Sequence, residues 1–276
     1  MMARRPRARR IGIFLILAAV SLTTIYPLVF AVKMATKTDA EYVLNRYGWP
    51  EKPTLGNFSK VWSAHSLGRH LLNSVVVVVA GVTLSWVVCS MAGYALSHLR
   101  FRGRRMLFFL ILGSMMIAPQ VIMIPLYAML RSFGLLDRTV GLVLVYVTFA
   151  TPFGTYLMTS YLRGVPKELV EAAQVDGAGH LQILWRVMVP VARPALVTLG
   201  IFNFLWMWNE LLFSLLILQD TASQTLVVKV AGLQGEYTTN VPYLSAGLLL
   251  AALPVLIVFL IFQSQLTKGM TLGAVK

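Results

Sequence analysis

Six apolar stretches, each about as long as a lipid hydrocarbon core is thick, constrain this 276-residue chain more than any other feature. A helix rises about 1.5 Å per residue, so roughly 20 apolar residues are needed to cross. Such stretches lie at about 11–32, 71–96, 106–130, 140–162, 195–218 and 243–263. Backbone amides that face lipid must be satisfied within their own segment, and no stretch alternates as a barrel strand would, so all six are expected to be helices. The predicted fold class is therefore all-α, a polytopic membrane protein with six transmembrane helices.

Composition agrees. The chain is 58% hydrophobic and only 12% charged, against about 45–50% and 25% in a soluble domain. Its net charge of +14 on a soluble protein would suggest nucleic acid. Here the arginines abut apolar runs without interleaved aromatics, so no nucleic-acid partner is expected and membrane lipid is. The single cysteine, Cys89, lies inside an apolar run and excludes an intrachain disulfide or a cysteine-cluster metal site.

Lysine and arginine set the orientation. Fifteen of the 24 fall in alternate segments that share one side: the N-terminus, 97–105, 163–194 and the tail. Nine fall in 33–70, 131–139 and 219–242. The short run His98–Arg105 and the arginines at 4, 5, 7, 9 and 10 carry most weight, because they sit next to helix ends. Both termini are expected on the cytoplasmic side of a bacterial inner membrane. Residues 1–10 read as a cytoplasmic N-terminus, 11–276 as the transmembrane domain, and the first apolar run as an uncleaved signal anchor, being longer than a secretory h-region.

The cytoplasmic segment 163–194 has helical signals. Pro166 suits a helix start, Glu168 and Glu171 suit its first turns, and Asp176-Gly177 supplies a stop with Gly177 free to take positive φ. Leu181, Leu184, Trp185 and Met188 then repeat at i, i+3, i+4, i+7 up to Pro190. That pattern fits an interfacial re-entry loop as well as a small-faced helix offered to a cytoplasmic partner.

Glu171-Ala172-Ala173, Asp176-Gly177-Ala178 and the downstream Pro190 resemble the EAA motif of bacterial ABC import permeases. Asn73-Ser74, Trp208-Asn209-Glu210 and the tail Gly269 to Lys276 are similar to the carbohydrate-uptake branch, of the maltose-permease second-subunit type. Val187 and Val189 stand where the family more often has Ile and Leu. The resemblance implies the type I ABC importer permease fold. It implies alternating-access translocation of a sugar or related solute, with Glu171, Ala172, Ala173, Asp176, Gly177 and Ala178 forming the coupling helix seated on an ATPase. The implied partners are a second permease subunit in a heterodimer, two ATP-binding subunits and an extracytoplasmic solute-binding protein. ATP and Mg would be held by the ATPase and no cofactor by this chain, which has no G-x-x-x-x-G-K-[ST] loop. The chain is thus expected to be a transport subunit and not an enzyme. The alternative is a secondary transporter or channel working without ATP.

Polar residues at membrane depth mark a possible solute path. Glu210 is the only carboxylate within a span, and Asn203, Trp208, Asn209 and Gln120 complete the candidates. Amides, a carboxylate and aromatic rings suit a sugar. Equally, Trp206 and Trp208 would serve as interfacial anchors and Glu210 would pair with a neighbouring subunit. Pro119, Pro125, Pro152 and Pro254 either kink helices for rocking or fix static geometry. His65 and His70 read as solvated loop residues without a third metal ligand, and His180 as a surface residue.

Overall fold

The computed structural model describes residues 7–236 and 240–272, with side chains from 12 to 233 and from 240 to 265. The arginines at 4, 5, 7, 9 and 10 and residues 273–276 of the tail therefore lie wholly or in their side chains outside the described residues. Four helices are long and apolar enough to cross a bilayer, Gly12–Ala35, Leu67–His98, Thr139–Arg163 and Val241–Gln265, and two sharply bent pairs bring the number to six if each bent pair is one span.

The chain divides into two compact units. The first comprises 1–67 and 230–253. Its helix α1 (Arg7–Ala35) is apolar on every side from Gly12 onward, and of those residues only Met34 and Ala35 at its end are buried. Beyond α1 the sequence reads as turn-rich, yet it forms α2 (Asp39–Leu44) and α3 (Gly56–Ala64). These are tied to the end of α1 by polar groups. Asn57 Nδ2 donates to the carbonyls of Ala35 and Lys37 at 2.9 and 2.7 Å. The fully buried Lys37 donates to the Asn45 carbonyl, and Lys33 Nζ donates to the Tyr47 carbonyl at 2.7 Å. His65 is half-buried and meets the Tyr243 ring edge-on at 5.9 Å, so it is not a solvated loop residue.

The second unit comprises 68–229 and 254–276. Helix α4 (Leu67–His98) begins four residues before its apolar run, which puts His70 on a helix and buries it, with Nδ1 2.9 Å from the Gln224 carbonyl. Next come α5 (Arg104–Gly113) and α6 (Met123–Ser132). The span expected at 106–130 is therefore not one helix. Its halves meet at 91°, because Ala118 precedes Pro119 and is driven to an extended conformation, ψ 128°, and Pro119 withholds an N–H. Pro125, by contrast, sits in the first turn of α6, where the missing N–H is harmless.

Helix α7 (Thr139–Arg163) is the most buried span and carries Pro152 without breaking. It packs on α4 through Gly93, where an added Cβ would lie 2.6 Å from Met158 Cβ and 3.1 Å from the Met158 backbone. Lipid gives apolar helices no reason to seek one another, so close approach at small residues supplies the packing energy. Gly93→Ala is expected to destabilise the detergent-purified protein by about 1–3 kcal/mol, read as a lowered thermal unfolding midpoint.

The 163–194 segment holds α8 (Glu168–Val175), α9 (His180–Ile183) and α10 (Val189–Val191), and is described with the site. Helix α11 (Arg193–Asn209) follows. The span expected at 195–218 is interrupted too: Glu210 is extended, ψ 121°, and a separate helix α12 (Leu212–Ile217) resumes after it. Helices α13 (Leu226–Glu236) and α14 (Val241–Leu272, containing Pro254) complete the chain.

The segment between α12 and α13 is not loose. Asp137 Oδ1 accepts the Asp220 N–H at 2.7 Å, and Asn73 Nδ2 donates to the carbonyls of Ala222 and Gln224 at 3.0 and 3.1 Å. Ser74 Oγ accepts the Leu226 N–H at 2.8 Å. The Asn73-Ser74 pair thus fastens this segment to the start of α4.

Candidate functional site

Helix α8 begins just after Pro166, as its sequence requires, with Glu168 and Glu171 in the first turn. It ends in a Schellman arrangement. Gly177 takes φ +78°, its N–H reaches the Gln174 carbonyl at 3.0 Å, and the Ala178 N–H reaches the Ala173 carbonyl at 2.9 Å. Those two bonds satisfy carbonyls that the helix end would otherwise leave bare. The small residues serve the same turn. Ala173 and Ala178 are half-buried and pack together against the core, whereas Glu171, Ala172, Asp176 and Gly177 are exposed. Ala173, Ala178 and the exposed Gly177 therefore build the turn, and Glu171, Ala172 and Asp176 face outward.

A second helical stretch follows without delay. Gly179 is extended, and its N–H donates to Gln182 Oε1 at 3.1 Å. The apolar face expected here, Leu181, Leu184, Trp185 and Met188, is only half right. Ile183, Leu184 and Met188 are buried, while Leu181 and Trp185 are 64% and 40% exposed. The cause is a π-helical turn at Leu184–Met188. Its extra residue per turn shifts the register, so the 3.6-residue count misassigns the face. Pro190 lies just beyond, and Ala192 and Pro194 then redirect the chain by 79° into α11.

This loop rests on a single apolar core. Val165, Val170, Ile183, Leu184 and Met188 from the loop pack with Cys89 and Tyr94 of α4, Met158 and Leu162 of α7, and Ala195, Leu196 and Leu199 of α11. Three long helices therefore meet on the seat of α8. Tyr94 also reaches His180: its hydroxyl lies 3.4 Å from Nδ1, and its ring stacks on His98 at 5.7 Å. His180 is thus exposed but anchored, a contact that sequence spacing alone does not reveal.

Four of the five candidate solute-path residues make contacts within the chain. Asn203 is buried and donates to Ser85 Oγ at 2.8 Å. Trp208 is buried and stacks on Phe204 at 5.5 Å, whereas Trp206 is exposed and meets Tyr146 edge-on at 5.4 Å. Asn209 is exposed and donates to the Leu205 carbonyl at 2.8 Å. The Glu210 carboxylate accepts the N–H groups of Phe213 and Ser214 at 3.0 and 3.1 Å, and the Tyr146 hydroxyl at 3.1 Å. It therefore holds the positive end of α12 at the helix break. Ser214 Oγ, 2.9 Å from the Tyr146 oxygen, and Thr225 extend this network. Gln120 sits exposed at the α5–α6 bend and takes no part in it. Among the described residues no three metal-ligating side chains converge.

Residues 65–272 match the family described as binding-protein-dependent transport system inner membrane component. The chain belongs to that family. It is the permease subunit of a binding-protein-dependent ABC importer, a multi-pass protein of the inner membrane and a transport subunit, not an ATPase. Among its relatives, the permease is 31% identical to the diacetylchitobiose uptake system permease protein NgcG of Streptomyces coelicolor, over 92% of this chain and 84% of that one. It is also 31% identical to the melibiose/raffinose/stachyose import permease protein MelC of Bacillus subtilis, over the full length of both. In three dimensions the permease superposes on a chain of a bacterial ABC transporter involved in import of the acidic polysaccharide alginate. The TM-score is 0.82 at 27% identity, covering 95% of this chain and 99% of that one. The all-helical importer fold expected from the EAA resemblance is therefore the observed one.

Proposed function

We propose that this permease carries a sugar or oligosaccharide, handed over by an external binding protein, and that α8 with its Gly177 turn is the coupling element seated on a separate ATPase. Its partners in this reading are a second permease subunit and two ATP-binding subunits that hold ATP and Mg. Both termini and the 163–194 loop lie on the cytoplasmic side. The substrate class is drawn from the sugar importers among its relatives. The coupling role is supported above all by the seat of α8, a rigid turn lodged on one core shared by α4, α7 and α11. A push on such a knob is delivered to three helices at once, because a close-packed core transmits displacement and does not absorb it. Exposed Glu171 and Asp176 offer charge to a docking cleft, and Ala172 lets a partner backbone approach closely.

The same reading divides the five path candidates. Asn203 and Glu210 are engaged with their own chain and Trp208 is buried, which leaves Gln120, and Asn209 beyond its bond to the Leu205 carbonyl, as the exposed polar groups toward a solute. The test is purification of the permease with its partners, followed by a screen of sugars on the loaded binding protein. Sugar-stimulated ATP hydrolysis and ATP-dependent uptake are expected. Transport by the permease alone in proteoliposomes, without ATP, would overturn the proposal.

A further inference from the structure

Where α4 ends and α5 begins, the chain turns through Leu99–Gly103 and opens a cavity of about 1040 Å³. One wall is the turn and the start of α5, with Arg100, Arg102, Arg104 and Arg105; the other is α8, with Lys167, Val170, Glu171 and Gln174. Five cations and His98 thus share the lining with one carboxylate, the exposed Glu171. Arg104 is partly engaged, donating to the Leu99 carbonyl at 3.2 Å, while Arg100, Arg102 and Arg105 are exposed.

The cavity adjoins an apolar flank. Met106, Leu107, Phe109 and Leu110 of α5 are all exposed, as is Phe101 in the turn. Arg105 and Arg163 lie over the rings of Phe109 and Phe108 at 5.8 and 5.1 Å, the arrangement of amphipathic side chains at a membrane boundary. A free anion would use the cations and ignore the flank, and an acidic protein surface would have no use for exposed phenylalanine and leucine at membrane depth. An anionic amphiphile uses both.

We infer that this cavity binds the headgroup of an anionic phospholipid of the cytoplasmic leaflet, with its acyl chains along α5. Its second wall is α8, so occupancy would also set how readily α8 moves. The lipid site stands on the geometry alone, and its effect on ATP turnover rests on the coupling role proposed for α8.

The test uses the complete transporter, purified from membranes and probed by native mass spectrometry for retained phosphatidylglycerol and phosphatidylcholine. Wild type is expected to keep phosphatidylglycerol selectively. The pair Arg100→Gln and Arg102→Gln is expected to weaken retention about thirtyfold, while Arg100→Lys with Arg102→Lys keeps it. Equal retention by the glutamine pair would overturn the site. So would displacement of the lipid by excess inorganic phosphate, which would make the ligand a free anion. Loss of the ATPase with the lipid still bound would mark a protein-docking surface instead. ATP hydrolysis in phosphatidylcholine vesicles, with and without phosphatidylglycerol, reads the second half: stimulation in wild type and none in the glutamine pair is expected, and equal stimulation would overturn the link to α8. If no ATPase accompanies the permease, lipid retention by the chain alone still decides the site.

Discussion

Gly177→Pro is expected to abolish uptake while leaving the permease inserted in the membrane at normal levels. The native φ of +78° is out of reach of a ring that locks φ near −65°, and proline also removes the N–H that reaches Gln174. Space is not the obstacle, since an added Cβ would meet nothing within 4 Å. Substitutions should therefore rank by backbone preference and not by size. Gly177→Asn, whose side chain tolerates the left-handed region, should keep most of the activity. Gly177→Ala carries about 1–2 kcal/mol of strain and should lower uptake by up to about thirtyfold. Glu171→Lys, which reverses an exposed charge without touching the turn, should also abolish uptake. Uptake of the sugar and ATP hydrolysis stimulated by loaded binding protein, measured on the same preparations, check the series. A ranking by side-chain volume would show that contact, and not the turn, is what matters.

The second large effect is expected at Glu210. Glu210→Ala leaves the Phe213 and Ser214 amides without their acceptor and takes the carboxylate from the Tyr146 hydroxyl, which keeps Ser214 Oγ, in surroundings where water is a poor substitute. The loss should be about 3 kcal/mol or more, seen as a lower unfolding midpoint together with reduced maximal uptake. Glu210→Gln keeps one acceptor oxygen and should lose less. Tyr146→Phe leaves both amides capped, removes the hydroxyl's bonds to the carboxylate and to Ser214 Oγ, and should cost about 1–2 kcal/mol. A carboxylate that instead touched the sugar would raise KM on removal and leave the unfolding midpoint unmoved.

These two residues illustrate what the sequence makes legible. Gly177 could be read in advance because a positive-φ turn after a short helix has a local signature, Asp-Gly following small residues, and local geometry needs no knowledge of the rest of the fold. Four of the six spans were legible as single helices for a similar reason, since lipid thickness imposes a length on each helix independent of its neighbours, whereas 106–130 and 195–218 are broken. Glu210 was not legible as a capping group. Neither proline nor glycine marks the break after Asn209, and the acceptor's partners include Tyr146, 64 residues earlier. His70 reads as a loop residue because hydropathy cannot see that a polar first turn of α4 is stabilised by the Gln224 carbonyl, 154 residues away. The displaced face of 181–188 has a third cause: a single additional residue in one turn defeats any fixed period, and no residue type announces it.

Helix α1 has a consequence of its own. Its outward surface is greasy in every direction, from Ile13 through Phe14, Leu17, Leu22, Tyr26 and Val32, so no stripe of side chains specifies which way it must face. Ahead of the buried Met34 and Ala35, nothing in that surface prefers one azimuth, and scrambling the apolar residues from Ile13 to Val32 at constant length should be silent for the remainder of the molecule. A neighbouring subunit that read a particular edge of this helix would reveal itself as the one context in which such a scramble is felt.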